Sequence, residues 1–164
     1  MKALVAYNDD SGVMCTALIP DSALTRCRDP FFVPDDRPWK AMVLRGVRID
    51  RLGKGIAARF AANYYNECMT AVHPYATGAP DGMAACWGRD GALVVSDTVP
   101  VSDIPDSVRE RIDGLIAYFS ESATLKTGDL VLIASPEHLD IQMKSYDIAV
   151  ESLDGFPQMK LKIR

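Results

Sequence analysis

Thr124-Leu125-Lys126-Thr127-Gly128-Asp129-Leu130-Val131-Leu132-Ile133-Ala134 reads as a turn that feeds a buried strand. Gly128 and Asp129 suit turn dihedrals, and the polar run stops where an unbroken apolar run begins. A strand with one wet face alternates apolar with polar residues. The continuous run from Leu130 to Ala134 instead indicates a strand covered on both faces. A chain built around such a strand needs other elements to cover it.

Those elements can be read upstream. Residues 106–120 predict a helix with Asp106 as N-cap and Val108, Ile112, Leu115, Ile116 and Phe119 on one face. Residues 91–96 predict a strand, and the Pro-, Gly- and Asp-rich stretch 74–90 a loop. Residues 66–73 predict a further strand. Ile56, Phe60, Asn63 and Tyr64 recur at helical spacing and predict a helix over 56–65. Trp39 to Ile49 predicts a strand. Pro20 to Pro38 also holds Pro30 and Pro34 and reads as an ordered loop with little regular structure. Residues 2–7 and 13–19 predict a hairpin about Asn8-Asp9-Asp10-Ser11-Gly12. Downstream, 140–144 and 147–151 read as paired strands and 158–164 as a final one. Strands outnumber helices, so the fold class is a β-rich α+β, with two helices packed at the periphery of the strands. No repeat or linker divides residues 1–164, which read as a single domain.

The 164 residues are 48% hydrophobic and 24% charged, with a formal net charge of -4. That balance is globular. Mild acidity without a basic run excludes nucleic acid as a partner on electrostatic grounds. No apolar stretch is long enough to span a bilayer, and Met1 to Asp10 lacks the pattern of a secretion signal. The expectation is a cytoplasmic protein with no membrane partner. Cys15, Cys27, Cys68 and Cys86 contain no CxxC spacing, which argues against a zinc knuckle and for free thiols, although their even number leaves bridges open.

Several blocks carry a resemblance. They are Pro20-Asp21-Ser22-Ala23-Leu24 with Asp29-Pro30-Phe31-Phe32-Val33-Pro34-Asp35, then Val47-Arg48-Ile49-Asp50-Arg51-Leu52-Gly53-Lys54-Gly55-Ile56 continuing to Tyr64-Tyr65, and finally Thr124 to Leu132. In this order they resemble the short bacterial type of the fumarylacetoacetate hydrolase superfamily. The resemblance implies a mixed β-sandwich or roll with peripheral helices, and a homodimer. Its active members are hydrolases, isomerases or decarboxylases of acylpyruvate-like substrates. They hold magnesium, manganese or calcium on two glutamates at alternate positions of one strand and an aspartate on the strand after the helix. Alternate strand residues share a face, and hard divalent ions need several oxygen ligands.

Carried over by position, the glutamates fall on Met42 and Leu44, and the aspartate falls near His73. The following arginine-aspartate pair falls near Thr77 and Gly78. The family's lysine falls on Val94, with Asp97 matching the aspartate after it. The Thr-Gly-Thr substrate loop falls on Ile133-Ala134-Ser135, where the Ser135 hydroxyl is retained. The N-terminal lid is replaced by the turn at Asn8 to Gly12. No Glu-x-Glu occurs anywhere in the chain, so no shift of register restores the pair. Met42 and Leu44 are therefore expected in the core, and the resemblance implies a degenerate member with no metal.

The remaining candidates are few. His73 could act in acid–base chemistry, with Glu67 on its face if 67–73 is one unbroken strand. Ser135 and Thr77 offer hydroxyls. His138 reads as a solvated loop residue. Asp9-Asp10, Asp35-Asp36 and Asp81 suit turns better than calcium. Cys68 and Cys86 lack an evident base. Trp87-Gly88-Arg89-Asp90-Gly91 marks a hairpin turn or a binding loop. Two readings follow. One is a non-catalytic family fold with no cofactor, retained for binding an unknown protein or small molecule, or for structure. The other is a divergent enzyme on 2-keto acids, using magnesium or manganese.

Overall fold

A computed structural model describes residues 1–9, 11–78, 87–142 and 144–164. The strands are β1 (Lys2–Asn8), β2 (Met14–Pro20), β3 (Leu24–Arg26), β4 (Trp39–Ile49), β5 (Tyr65–Ala76), β6 (Leu93–Val95), β7 (Val99–Pro100), β8 (Leu130–Ile141), β9 (Tyr146–Val150) and β10 (Met159–Ile163). The helices among the described residues are the short α1 (Ala58–Ala61) and the long α2 (Asp106–Ser122). The main sheet runs β2-β1-β8-β4-β5-β6-β3, with β7 added on β5, and β9 pairs with β10 in a separate ribbon. The pairs β1–β8 and β3–β6 are parallel; the other pairings are antiparallel. This is the expected β-rich α+β fold with a mixed sheet.

Alternation along the strands separates two faces. One carries Val5, Tyr7, Met42, Leu44, Met69, Ala71, Leu130 and Leu132. The other is covered in two parts. Helix α2 lays Ile112, Ile116 and Phe119 on Val47, Ile49, Cys68 and Val131. The β9–β10 ribbon lays Val150, Met159 and Leu161 on Ala41, Val43, Val72 and Val94. The apolar run from Leu130 is thus covered on both sides, as its composition requires.

Asp129 fixes the centre of the sheet. Its side chain is almost wholly buried. Its Oδ1 accepts from the Lys2 N–H at 3.0 Å, and its Oδ2 accepts from the Lys126 N–H at 2.8 Å and from the Lys2 ammonium. Its own carbonyl accepts from the Ile49 N–H at 2.8 Å, while the Gly128 N–H donates to the Ile49 carbonyl at 2.7 Å. One turn therefore sets the starts of β1 and β8 against the end of β4.

Five expectations need correction. The 56–65 helix shrinks to α1 and a 3-10 turn at Ala62–Tyr64. The Gly55 and Ile56 N–H groups donate instead to the Ser120 carbonyl and hydroxyl at 2.8 and 2.9 Å, which holds that segment outside a helix. Asp106 is the first helical residue rather than the cap. Pro105 takes the cap position, and its carbonyl accepts from the Val108 and Arg109 N–H groups. The 20–38 loop contains a 3-10 turn, Asp21–Ala23, and β3, because the open edge of β6 offers it a ladder. Residues 140–141 extend β8 along β4 as far as Trp39, and 147–150 pair with β10 instead of with 140–144. Finally, β5 continues through Pro74 to Ala76. Its pairing with β6 involves only Ala71 and Val72, so the missing N–H of Pro74 breaks no bond on that side.

Replacing Asp129 with Ala strands the partly buried Lys2 ammonium and the backbone N–H groups of Lys2 and Lys126. The expected loss is about 3–5 kcal/mol in urea unfolding. Asp97→Ala removes only an exposed pair with Arg28 and is expected to leave the urea midpoint close to that of the wild-type chain.

Candidate functional site

Met42 lies opposite His73 across β4 and β5, and Leu44 lies opposite Ala71. All four point to the face that α2 and the β9–β10 ribbon leave uncovered, and Met42, Leu44 and His73 are all fully buried there. The reason is the strand period. The unbroken β5 places Glu67, Met69, Ala71, His73 and Tyr75 on one face. Glu67 does share the face of His73, but it sits at the far end of the strand and pairs with Arg48 at 3.2 Å.

Aromatic rings close the space above Met42. Trp87 stacks on His73 with centroids 3.7 Å apart and planes at 11°. Tyr75 continues the stack at 5.8 Å, Tyr7 tilts against Trp87 at 5.3 Å, and His138 meets Tyr75 edge-on at 6.0 Å. His138 is a strand residue, opposite Met42 on β8 and in hydrogen-bond contact with the Tyr75 hydroxyl at 2.9 Å, although its side chain is exposed. Trp87 comes from the expected turn, in which Gly91 holds a φ of 69°. Tyr75 was hidden in the sequence by Pro74 before it; the same-face alternation from Met69 is the signal that identifies it.

The His73 Nδ1 is 2.6 Å from the Ala92 carbonyl. A carbonyl only accepts, so Nδ1 carries the proton and Nε2 the lone pair. That Nε2 is buried without a hydrogen-bond partner among the described residues. Burial holds the imidazole pKa down at about 4, with the Ala92 bond opposing and the Arg89 charge adding to the shift. The ring is neutral at pH 7. It can accept a hydrogen bond or serve a soft metal, but among the described residues no carboxylate orients it as a general base.

A hard divalent ion does not fit this donor set. Met42 and Leu44 offer no oxygen, and a lone neutral imidazole suits softer metals. Among the described residues, no group of three His, Cys, Asp or Glu side chains is placed to hold a metal.

The other candidates are dispersed. Ser135 lines a pocket on the opposite face, so it cannot pair with His73. Val94 sits opposite Val72 and also points to that other face, so the lysine position does not reach Met42. Asp97 is exposed and bonded to Arg28 at 2.9 Å, which lowers its pKa. The Thr77 hydroxyl donates to the Pro38 carbonyl at 3.1 Å. Gly78 occupies a turn with φ of 72°. Asp9 accepts from the Ser11 and Val13 N–H groups, both at 2.9 Å, and Asp35 accepts from Arg37 and the Trp39 indole; both organise turns. Cys15, Cys27 and Cys68 are free. Burial pushes the Cys68 thiol up to about 11, and it packs under α2, away from His73. Asp10, Asp81 and Cys86 lie outside the described residues. Beside the His73 cluster, on the same face, a cleft of about 350 Å³ is lined by Arg26, Arg48, Met69, Ser96, Asp97 and Thr98, among others.

The depressed His73 pKa has a consequence for stability. Between about pH 6.5 and pH 4 the unfolded chain binds a proton that the folded chain refuses, so stability falls as pH falls through that window. His73→Phe keeps a ring against Trp87 and removes the titration. The wild-type chain is expected to lose on the order of 3 kcal/mol more than this variant between pH 7 and pH 4, read from urea midpoints.

No protein-family model matches the chain, and no curated protein sequence is significantly similar to it. Solved structures are similar in shape. A Yersinia pestis protein assigned to the fumarylacetoacetate hydrolase family superposes with a TM-score of 0.79 at 19% identity, covering 99% of this chain and 92% of that one. Fumarylpyruvate hydrolase from Pseudomonas aeruginosa, solved in complex with Mn2+ and pyruvate, gives 0.80 at 11% identity over 99% and 89%. A 2-hydroxyhepta-2,4-diene-1,7-dioate isomerase from Mycobacterium marinum gives 0.81 at 17% identity over 99% and 73%. Along nearly its whole length, this chain has the fold of fumarylacetoacetate hydrolase-type proteins.

Proposed function

We propose that this chain is a binding protein that keeps a hydrolase fold and has lost metal-dependent catalysis. One observation carries the reading: Met42 and His73 face each other across β4 and β5, fully buried, with Leu44 beside them and Trp87 stacked above. A cluster of carboxylates without a metal repels itself, whereas apolar side chains there add packing. The polar cleft at Arg26 and Arg48 remains open for a small molecule on the same face. The reading includes a cytoplasmic homodimer. The free thiols Cys15, Cys27 and Cys68 support the compartment, and the exposed Met14 and Leu18 on edge strand β2 support a contact between copies.

A second reading is a divergent hydrolase, isomerase or decarboxylase of acylpyruvate-like or 2-keto acids. The names of the fold neighbours favour it, as two of them are a fumarylpyruvate hydrolase and a dienedioate isomerase. It requires magnesium or manganese on ligands other than Met42 and Leu44.

Calorimetric titration with Mg2+ and Mn2+ separates the two. The expected result is no stoichiometric binding, and no turnover of oxaloacetate or acetylpyruvate with metal added. Stoichiometric binding, with turnover that His73→Ala abolishes, would establish the second reading. Met42→Glu buries an unpaired carboxylate and is expected to lose about 3 kcal/mol or more of stability. Recovery of that loss by Mn2+ would contradict the proposal, because it would show metal geometry still in place.

A further inference from the structure

We infer that the pocket at Arg45, on the helix-covered face of the sheet, binds a small organic carboxylate with an apolar body. The site is separate from the His73 cluster, and the inference does not depend on how that cluster is read.

Arg45 stands in the apolar run Met42-Val43-Leu44-Arg45-Gly46-Val47, and the strand period aims it under α2. Its side chain is only 11% exposed. Its Nε is fully covered and has no hydrogen-bond partner among the described residues. Its terminal nitrogen forms a long ion pair with the half-exposed Glu137 carboxylate at 3.8 Å, which is beyond hydrogen-bond reach. A guanidinium presents five N–H donors, and covering them without acceptors is costly. The Nε lacks an acceptor among the described residues.

The space beside Arg45 supplies room for one. A pocket of about 200 Å³ is lined by Arg45, Arg111, Ser135, Ile112, Ile133 and Phe156, among others. That is the volume of roughly seven waters at about 30 Å³ each, the size of a short organic acid. Arg111 reaches the pocket from the exposed side of α2 and has no carboxylate within 4.0 Å among the described residues. The Ser135 oxygen accepts from the Glu137 N–H at 3.2 Å, which leaves its own proton to donate. Asp154 lies on the rim, exposed to solvent. Its backbone holds a φ of 52°, and next to it Gly155 has φ of 78°. A Cβ at Gly155 would come within 2.7 Å of the Asp103 backbone, so this wall is pinned in place.

The chemistry of the lining selects the occupant. Planar carboxylates match the arginine fork with two parallel hydrogen bonds. Ile112, Ile133 and Phe156 reward an apolar body and do nothing for inorganic phosphate.

The test is calorimetric titration of the full chain with benzoate, benzyl alcohol and inorganic phosphate. Benzoate is expected to bind saturably at one site, with benzyl alcohol and phosphate weaker by about tenfold or more. Arg45→Met keeps the apolar stem and is expected to weaken benzoate by about tenfold or more while the chain stays folded, since the buried Nε it removes has no hydrogen bond and the ion pair it breaks with Glu137 is long. Arg111→Gln, on an exposed helix position, is expected to weaken benzoate several-fold and carries the test should Arg45→Met fail to fold. Absence of saturable benzoate binding, equal binding of benzyl alcohol, phosphate binding in place of benzoate, or undiminished affinity in the folded variants would each overturn the inference.

Discussion

A buried carboxylate organises this sheet. Asp129 takes N–H groups from both Lys2 and Lys126 and the ammonium of Lys2, while its carbonyl accepts from the Ile49 N–H and the neighbouring Gly128 N–H donates to the Ile49 carbonyl. In water these groups would be solvated separately. Inside the fold each is satisfied only if β1, β4 and β8 start and end in the observed register. A slip of one residue would also turn every side chain of those strands to the wrong face. The partition of Val5, Met42, Leu44 and Leu132 to one face and Val47 and Val131 to the other therefore depends on this turn.

That partition explains both clusters of interest. On one face, even-numbered β4 residues meet odd-numbered β5 residues, so Met42, Leu44 and His73 converge under Trp87. The centre is apolar and aromatic, and burial keeps the His73 ring neutral. On the other face, the odd-numbered β4 positions are apolar except Arg45, which α2 covers without bonding. The two faces differ in chemistry: one offers a lone imidazole nitrogen, the other a guanidinium whose Nε has no acceptor among the described residues.

Much of the fold was legible where the signal was local and long. The 106–122 helix, the 39–49 strand and the turn at 124–129 each combine periodicity or an apolar run with a clear stop. Other elements depend on distant partners. The three residues of β3 form a strand only because β6 lies beside them. The tail segment at 147–150 reads as a mate of 140–144, but β4 claims residues up to Ile141 and the segment pairs with β10 instead. Pro74 concealed the end of β5, since a proline is tolerated there only because β6 pairs elsewhere. The site was legible in part. The burial of Met42 and Leu44 followed from their apolar character and from the resemblance. The stack of Trp87 on His73 spans residues between which no spacing rule applies. Arg45 was missed, although a single arginine inside an apolar strand run is a signal that a charge is being covered.

The proposal that this chain has lost a hard-metal centre rests on the donor set at Met42, Leu44 and His73, which offers no carboxylate, in a fold shared with a fumarylpyruvate hydrolase solved in complex with Mn2+. Crystals soaked in MnCl2, with diffraction recorded at the manganese absorption edge, locate bound metal directly. The account predicts no anomalous peak within ligand distance of the His73 side chain. A peak there, with carboxylate oxygens around it, would contradict it.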